Sequence, residues 1–187
     1  QGSGDVTPLS GTELVVEGVV TLISPALDGF FIQEEDADQD ADPATSEGLF
    51  VYLDGLDMPQ ITLGDTMRIK GVAEEAFGKT QISAIEFAFV SSGAMVTEVP
   101  FTLPIDDSTN LEAIENMLLV TSGDLVITDT SDYARLGEVV VASERLYVPT
   151  HLYLPDSPDV LEIKFYCYVS SKGYNMIDPF QKVSFGP

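Results

Sequence analysis

Gly29-Phe30-Phe31-Ile32-Gln33 and Gly48-Leu49-Phe50-Val51-Tyr52-Leu53 are two short apolar runs, and the residues between them, Glu34 to Glu47, have the opposite character. Aromatic and β-branched side chains in runs this short favour strands. The two runs therefore predict a β-hairpin with a long acidic connection. Inside that connection Asp36, Asp38, Asp40 and Asp42 recur at every second position, and Glu47 stands just before Gly48. Carboxylates packed this densely raise one another's cost of ionisation unless a cation sits among them. Calcium takes several oxygen ligands, and the known helix-flanked calcium loop draws them from positions 1, 3, 5, 7, 9 and 12. Counted from Asp36, the four aspartates fall on positions 1, 3, 5 and 7, and Glu47 falls on 12. Position 6 is Ala41 where that motif has Gly, Pro43 follows closely, and the flanks read as strands. Two readings stand: a Ca2+ loop inserted in a hairpin, with Asp36, Asp38, Asp40, Asp42 and Glu47 as ligands, or a solvated acidic loop.

Outward from this hairpin the chain continues as strands. Leu14-Val15-Val16-Glu17-Gly18-Val19-Val20-Thr21-Leu22-Ile23 is rich in β-branched residues, with Gly18 placed where a barrel strand bends. Thr66 to Val72 alternates: Met67, Ile69 and Val72 are expected on one face, Arg68 and Lys70 on the other. Gln81 to Val90 supplies a fifth strand. Five strands with a glycine inside the first predict an all-β protein whose residues 11–90 form an OB-like five-stranded barrel, with the acidic loop at 34–47. A joint at Ser91-Ser92-Gly93 leads to a second small β-rich subdomain, 96–155. It opens with a helical turn at Leu111 to Glu115 and continues with strands at 117–121, 124–129 and 137–142. Residues 156–187 read as a strand-bearing tail of unknown role.

The 187 residues suffice for a real core, and a mean hydropathy of +0.15 excludes general disorder. The net charge of −23 comes from 31 acidic and 8 basic residues, and the first basic residue is Arg68. Such a surface repels phosphate backbones, which argues against unaided nucleic-acid binding by the first third of the chain. Cys167 is the single cysteine, so no disulfide forms within the chain. No segment approaches the length of a membrane span. The start at Gln1 is that expected of a mature or excised fragment.

Several segments resemble one family. Gly2 … Ser10-Gly11, Val16-Glu17-Gly18-Val19-Val20-Thr21, Gly29-Phe30-Phe31-Ile32-Gln33, Asp40 … Glu47-Gly48-Leu49-Phe50-Val51 and Gly64-Asp65 … Gly71 are similar to the N-terminal OB-fold-like module of large secreted bacterial nucleases. Leu111-Glu112 … Asn116-Met117-Leu118-Leu119-Val120 and Arg135-Leu136-Gly137-Glu138-Val139 continue the likeness, which spans roughly residues 1 to 155. The family usually has Glu-Gly-Met where this chain has Glu115-Asn116-Met117. The resemblance implies secretion to the cell exterior or surface. It also implies a non-catalytic role in positioning substrate for a catalytic domain of the endonuclease/exonuclease/phosphatase superfamily, with single-stranded or extracellular DNA as partner. That domain's chemistry needs two His, and this chain has only His151, so no nuclease active site is expected here. Arg68, Lys70 and Tyr52 are the candidate nucleic-acid contacts. The aromatic residues Phe30, Phe31 and Phe50 are weighed as a base-stacking platform and read mainly as core. The alternative function is an extracellular structural or adhesive β-protein, a homo-oligomer that self-assembles through its terminal strands.

Overall fold

The computed structural model describes residues 2, 6–40, 42–76, 78–103, 111–131, 138–145 and 168–170. The chain is all-β. It divides into two compact units, Gln1–Phe101 with Asn110–Val120, and Thr102–Thr109 with Thr121–Pro187.

The first unit is built on five strands: β1 (Glu13–Ser24), β2 (Gly29–Gln33), β3 (Gly48–Tyr52), β4 (Thr66–Ala76) and β5 (Lys79–Ser91). They close into a barrel in the order β1-β2-β3-β5-β4. All neighbours are antiparallel except β3 and β5, which run parallel and pair Phe50 with Gln81, Val51 with Ile82 and Tyr52 with Ser83. Closure depends on β1. Its first half pairs with β4 from Glu13↔Val72 to Val19↔Thr66, and its second half pairs with β2 from Val19↔Gln33 to Ser24↔Gly29. One strand thus serves two neighbours, changing partner at Val19. The adjacent Gly18 lies inside the crowded bend, where an added Cβ would come within 3.1 Å of the Gln33 carbonyl oxygen and 3.2 Å of Ile32 Cβ. The register shift in the β1–β2 ladder follows, between Val20 and Leu22.

Alternation along the strands sends Val20, Phe30, Ile32, Val51, Leu53, Met67, Ile69, Ile82 and Ala84 to a common interior. Met67 and Ile69 point inward and Arg68 and Lys70 outward, as the pattern predicts, but Val72 is only half-buried and Ala73 takes the inward place. The strict two-residue period of β4 survives because the extra residue at the bulge, Ile85, sits in β5 between the pairs Lys70↔Glu86 and Gly71↔Ala84. Gly71 is required there: a Cβ would stand 2.3 Å from the Ser83 carbonyl oxygen.

The outer face of β2, β3 and β5 is also covered. A strap containing a 3-10 turn (Glu112–Ile114) crosses it, and a Cβ on Gly48 would lie 2.4 Å from the Asn116 carbonyl carbon. Gln33, fully buried, fastens this layer by donating to the Thr97 carbonyl (3.3 Å) and accepting from the Leu118 amide (2.9 Å). Next to it β6 (Val99–Phe101) pairs with β7 (Leu119–Thr121). In the second unit β8 (Val126–Asp129), β9 (Glu138–Ala142) and β10 (Tyr168–Ser170) form a three-stranded sheet in the order β10-β9-β8. Cys167, His151 and the expected turn and strand at 172–185 lie outside the described residues.

The interior carries the stability of the barrel. Ile69→Ala is expected to cost about 2–5 kcal/mol, and Arg68→Ala about 0.5 kcal/mol or less. Urea denaturation checks both, as a fall in midpoint at unchanged slope for the first and almost none for the second.

Candidate functional site

The β2–β3 ladder ends with Gln33 opposite Gly48, and the Glu34 amide donates to the Glu47 carbonyl (3.0 Å), closing the neck of the acidic loop. Beyond the neck the alternate aspartates serve the loop's own backbone. Asp40 accepts from the Asp42 amide (2.7 Å) and the Thr45 hydroxyl (3.3 Å), and Asp42 accepts from the Ala44 amide (2.9 Å). These are short-range turns of the kind Asp side chains commonly make. Asp36 points elsewhere. Its carboxylate accepts from the Thr97 amide (2.8 Å) and hydroxyl, which hold its pKa below the ordinary range. Asp38 is exposed and its amide donates to the Glu35 carbonyl (2.8 Å).

The five sequence-predicted ligands are thus distributed over separate hydrogen-bonded arrangements. Among the described residues, no three His, Cys, Asp or Glu side chains already surround a common point suited to a metal ion. The place where negative charge does concentrate is the neck, and it includes a residue the spacing argument passed over. Glu34 is hydrogen-bonded through its carboxyl to that of Glu47, and its pKa is raised to about 7. Burial is the largest cause, followed by the Glu47 hydrogen bond and by the charges of Glu47, Asp38 and Asp40. Counting from Asp36 hides Glu34. The hairpin register would have found it, because Gln33 opposite Gly48 forces Glu34 opposite Glu47. In chemical terms the neck sets the Glu34 carboxyl, which holds its proton to about 7, against that of Glu47, and the charges of Asp38 and Asp40 add to the cost of ionising Glu34. A hard cation would satisfy the same oxygens once that proton leaves.

The candidate nucleic-acid residues are not brought together. Arg68 bonds Glu17 directly across the β1–β4 ladder (2.7 Å), and Lys70 bonds Glu13 (3.0 Å). Each cation is therefore already matched by a β1 carboxylate, and the Glu13 hydrogen bond, ahead of its charge, raises the Lys70 pKa. Tyr52 stands opposite Gly29 and Ser83, whereas Arg68 stands opposite Ala88 on the same β5 strand. That separates them by roughly 16 Å along the strand. Phe30, Phe31 and Phe50 are all buried, so the core reading holds for all three. Phe31 and Phe50 meet at 4.8 Å between centroids on the outer face, under the strap.

The strap itself places polar chemistry that no sequence motif announces. The Thr80 amide donates to the Glu115 carboxylate (3.2 Å and 3.3 Å), and the Asn116 side chain donates through Nδ2 to the Thr80 carbonyl (3.0 Å). The Ser46 hydroxyl, at the end of the acidic loop, donates to the Glu115 carbonyl. Lys79 Nζ lies over the Phe50 ring at 5.1 Å and the Phe31 ring at 5.8 Å. Burial raises the Glu115 pKa to about 7 and lowers that of Lys79.

No protein-family model matches the sequence, and no curated protein matches it. Among the described residues, no helix is long and apolar enough to cross a membrane.

Glu34 and Glu115 both bind a proton more tightly when folded than at the ordinary Glu value of 4.5. Their stabilisation is complete below that value and is lost as pH rises through about 7. With divalent cations chelated, the thermal midpoint is expected to fall between about pH 5 and about pH 8. Glu34→Gln, which keeps a hydrogen-bonding partner for Glu47 and removes one titrating carboxyl, should flatten part of that fall. An unchanged slope in this variant would remove the neck from the account.

Proposed function

We propose that this chain is the non-catalytic accessory module of an extracellular nuclease: an OB-fold-like barrel that positions substrate or a partner domain and carries a Ca2+-binding acidic loop. The strand order β1-β2-β3-β5-β4, with one parallel pair, supports the OB-like reading of the barrel. The observation that carries the calcium part is the neck. Glu34 and Glu47 face each other there, and the charges of Glu47, Asp38 and Asp40 add to the cost of ionising Glu34. Calcium binding would displace the Glu34 proton and recruit the loop aspartates by rearranging the turns around Asp40 and Asp42. With Arg68 and Lys70 already paired to Glu17 and Glu13, a bound cation is also the means by which so acidic a surface would approach a phosphate backbone. The nuclease assignment rests on the sequence resemblance.

Calorimetric titration of calcium into chelator-treated protein tests the site. A dissociation constant of about 10⁻⁴–10⁻³ M is expected, as for extracellular calcium modules, tighter at about pH 8 than at about pH 5.5 because the displaced proton is then already gone. Asp38→Ala/Asp40→Ala should abolish it. Absence of binding in the parent chain would return the loop to solvated acidic surface. DNA titration with and without calcium then addresses the positioning role.

A second reading, an extracellular structural or adhesive protein that self-assembles, draws support from β5. This strand pairs with β4 from Lys79 to Thr66's partner Ser91, but with β3 only through Gln81–Ser83. Beyond that, Ile85, Phe89 and Val90 are exposed on a strand edge of the kind that recruits further strands. Sedimentation equilibrium separates the readings: a concentration-dependent mass that Phe89→Lys reduces to the monomer favours assembly, and a monomer throughout removes it.

A further inference from the structure

Lys79, Glu115 and Asn116 are grouped around Thr80 on the outer face of the barrel, in an arrangement that neither the calcium loop nor the positioning role uses. The parallel pairing begins at Phe50↔Gln81, and Gly48 and Lys79 each stand two residues before it, at the start of their strands. Asn116 lies directly upon Gly48, with its carbonyl carbon 2.4 Å and its oxygen 2.6 Å from where a Cβ would stand. Thr80, the residue after Lys79, fixes both strap residues through its amide to Glu115 and its carbonyl to Asn116 Nδ2. Lys79 Nζ is drawn in over Phe50 and Phe31 rather than out into water. The Asn116 side chain is buried, at 2% exposure, and among the described residues its Oδ1 is the one buried side-chain polar atom without a hydrogen-bond partner.

A positive φ tolerates asparagine, and Nδ2 caps the Thr80 carbonyl, but neither role uses Oδ1. Asn116 has a φ of 59°, in the left-handed region that glycine occupies without cost. A glycine would avoid burying an unpartnered acceptor, which costs free energy that a hydrogen bond does not return. Asn116 keeps the acceptor, beside an acid and an amine.

We propose that Lys79 and Asn116 become joined by an intramolecular isopeptide bond, formed by attack of the Lys79 amine on the Asn116 carboxamide with Glu115 as the proton-transfer group. The lone pair of Nζ attacks Cγ of Asn116, and the C=O electrons move to Oδ1, which takes the proton of the Glu115 carboxyl. Glu115, now a carboxylate, accepts a proton from Nζ. When the carbonyl re-forms, the Cγ–Nδ2 bond breaks and Nδ2 leaves as ammonia. As this happens Glu115 gives its proton to Nδ2, supplying the third hydrogen of the ammonia, and takes the proton of Oδ1, so that it ends protonated as it began. The balance is an amine and a primary amide giving a secondary amide and one ammonia, with no oxidant or cofactor. Burial favours this chemistry on both partners: it shifts Lys79 toward the neutral amine that has a lone pair, and it keeps Glu115 protonated up to about 7. The charged and titratable groups facing Glu115 are Lys79, Glu112 and Glu75. Thr80, next to Lys79 in the chain and bonded to both Glu115 and Asn116, confines the amine and the amide to one patch of the barrel, and confinement is what this slow reaction lacks in water. The product ties the start of β5 to the strap, in a chain whose single cysteine offers no internal disulfide.

The test is mass spectrometry of the full chain. The intact mass is expected to be lower than the sequence mass by one ammonia, and proteolytic mapping should yield a branched peptide containing both Lys79 and Asn116. Lys79→Arg, which keeps the cation, and Glu115→Gln, which keeps the shape, should each lack the branched peptide while retaining the β-sheet circular dichroism of the parent. Recovery of Lys79 and Asn116 only in separate linear peptides from the parent chain overturns the proposal. So does an ammonia lost solely by succinimide formation at Asn116, which gives no branch.

Discussion

Ring closure through β1 is the constraint on which the rest of the first unit depends. A strand that pairs with β4 up to Val19 and with β2 from Val19 onward must bend sharply between two partners. Gly18 lets the bend occur against Ile32 and Gln33. Once the ring is closed, inward side chains from all five strands share one interior, where Phe30, Val51, Leu53, Ile69 and Ile82 lose essentially all contact with water. The same closure fixes the outer face. Phe31, Phe50, Gln33 and Lys79 are brought side by side there although they are distant in sequence, and the strap is the layer that covers them.

The acidic loop and the strap are physically connected through the end of β3. Ser46 donates to the Glu115 carbonyl and also accepts from the Gly48 amide at 3.0 Å, while Gly48 supports Asn116. A change in the state of the loop neck therefore bears on residues that hold the strap, over a path of direct hydrogen bonds rather than through the barrel core. Both ends of this path carry a carboxyl, Glu34 and Glu115, whose proton is retained to about 7 mainly because of burial. In a chain of net charge −23, protons and cations are the available means of relieving crowded carboxylates. The structure uses hydrogen bonds for the rest: Thr97 for Asp36, and the loop's own amides for Asp40 and Asp42.

Much of the barrel was legible in the residues. Period-two alternation identified the inward Met67 and Ile69 and the outward Arg68 and Lys70, because a pleated strand with one buried face leaves that signature. The candidate site was legible only in part. The aspartates at 36, 38, 40 and 42 are conspicuous, yet their hydrogen bonds take them to Thr97 and to separate turns. Glu34, which bears the largest strain of the loop, looks like an ordinary strand end. Phe31 shows the same limit: alternation places it outside the barrel, and a covering strap from a remote segment then buries it.

The sequence by itself determined the β class, the five barrel strands, the position of the acidic loop and the charge excess. Those properties follow from local composition and a two-residue period, which need no knowledge of distant neighbours. The tertiary structure alone decided that β1 serves two partners, that Arg68 and Lys70 are matched by Glu17 and Glu13, and that Glu34 faces Glu47. It alone set Lys79, Glu115 and Asn116 together. Each of these is a contact between residues far apart in the chain, settled by register and closure, and no local pattern encodes which strand lies beside which.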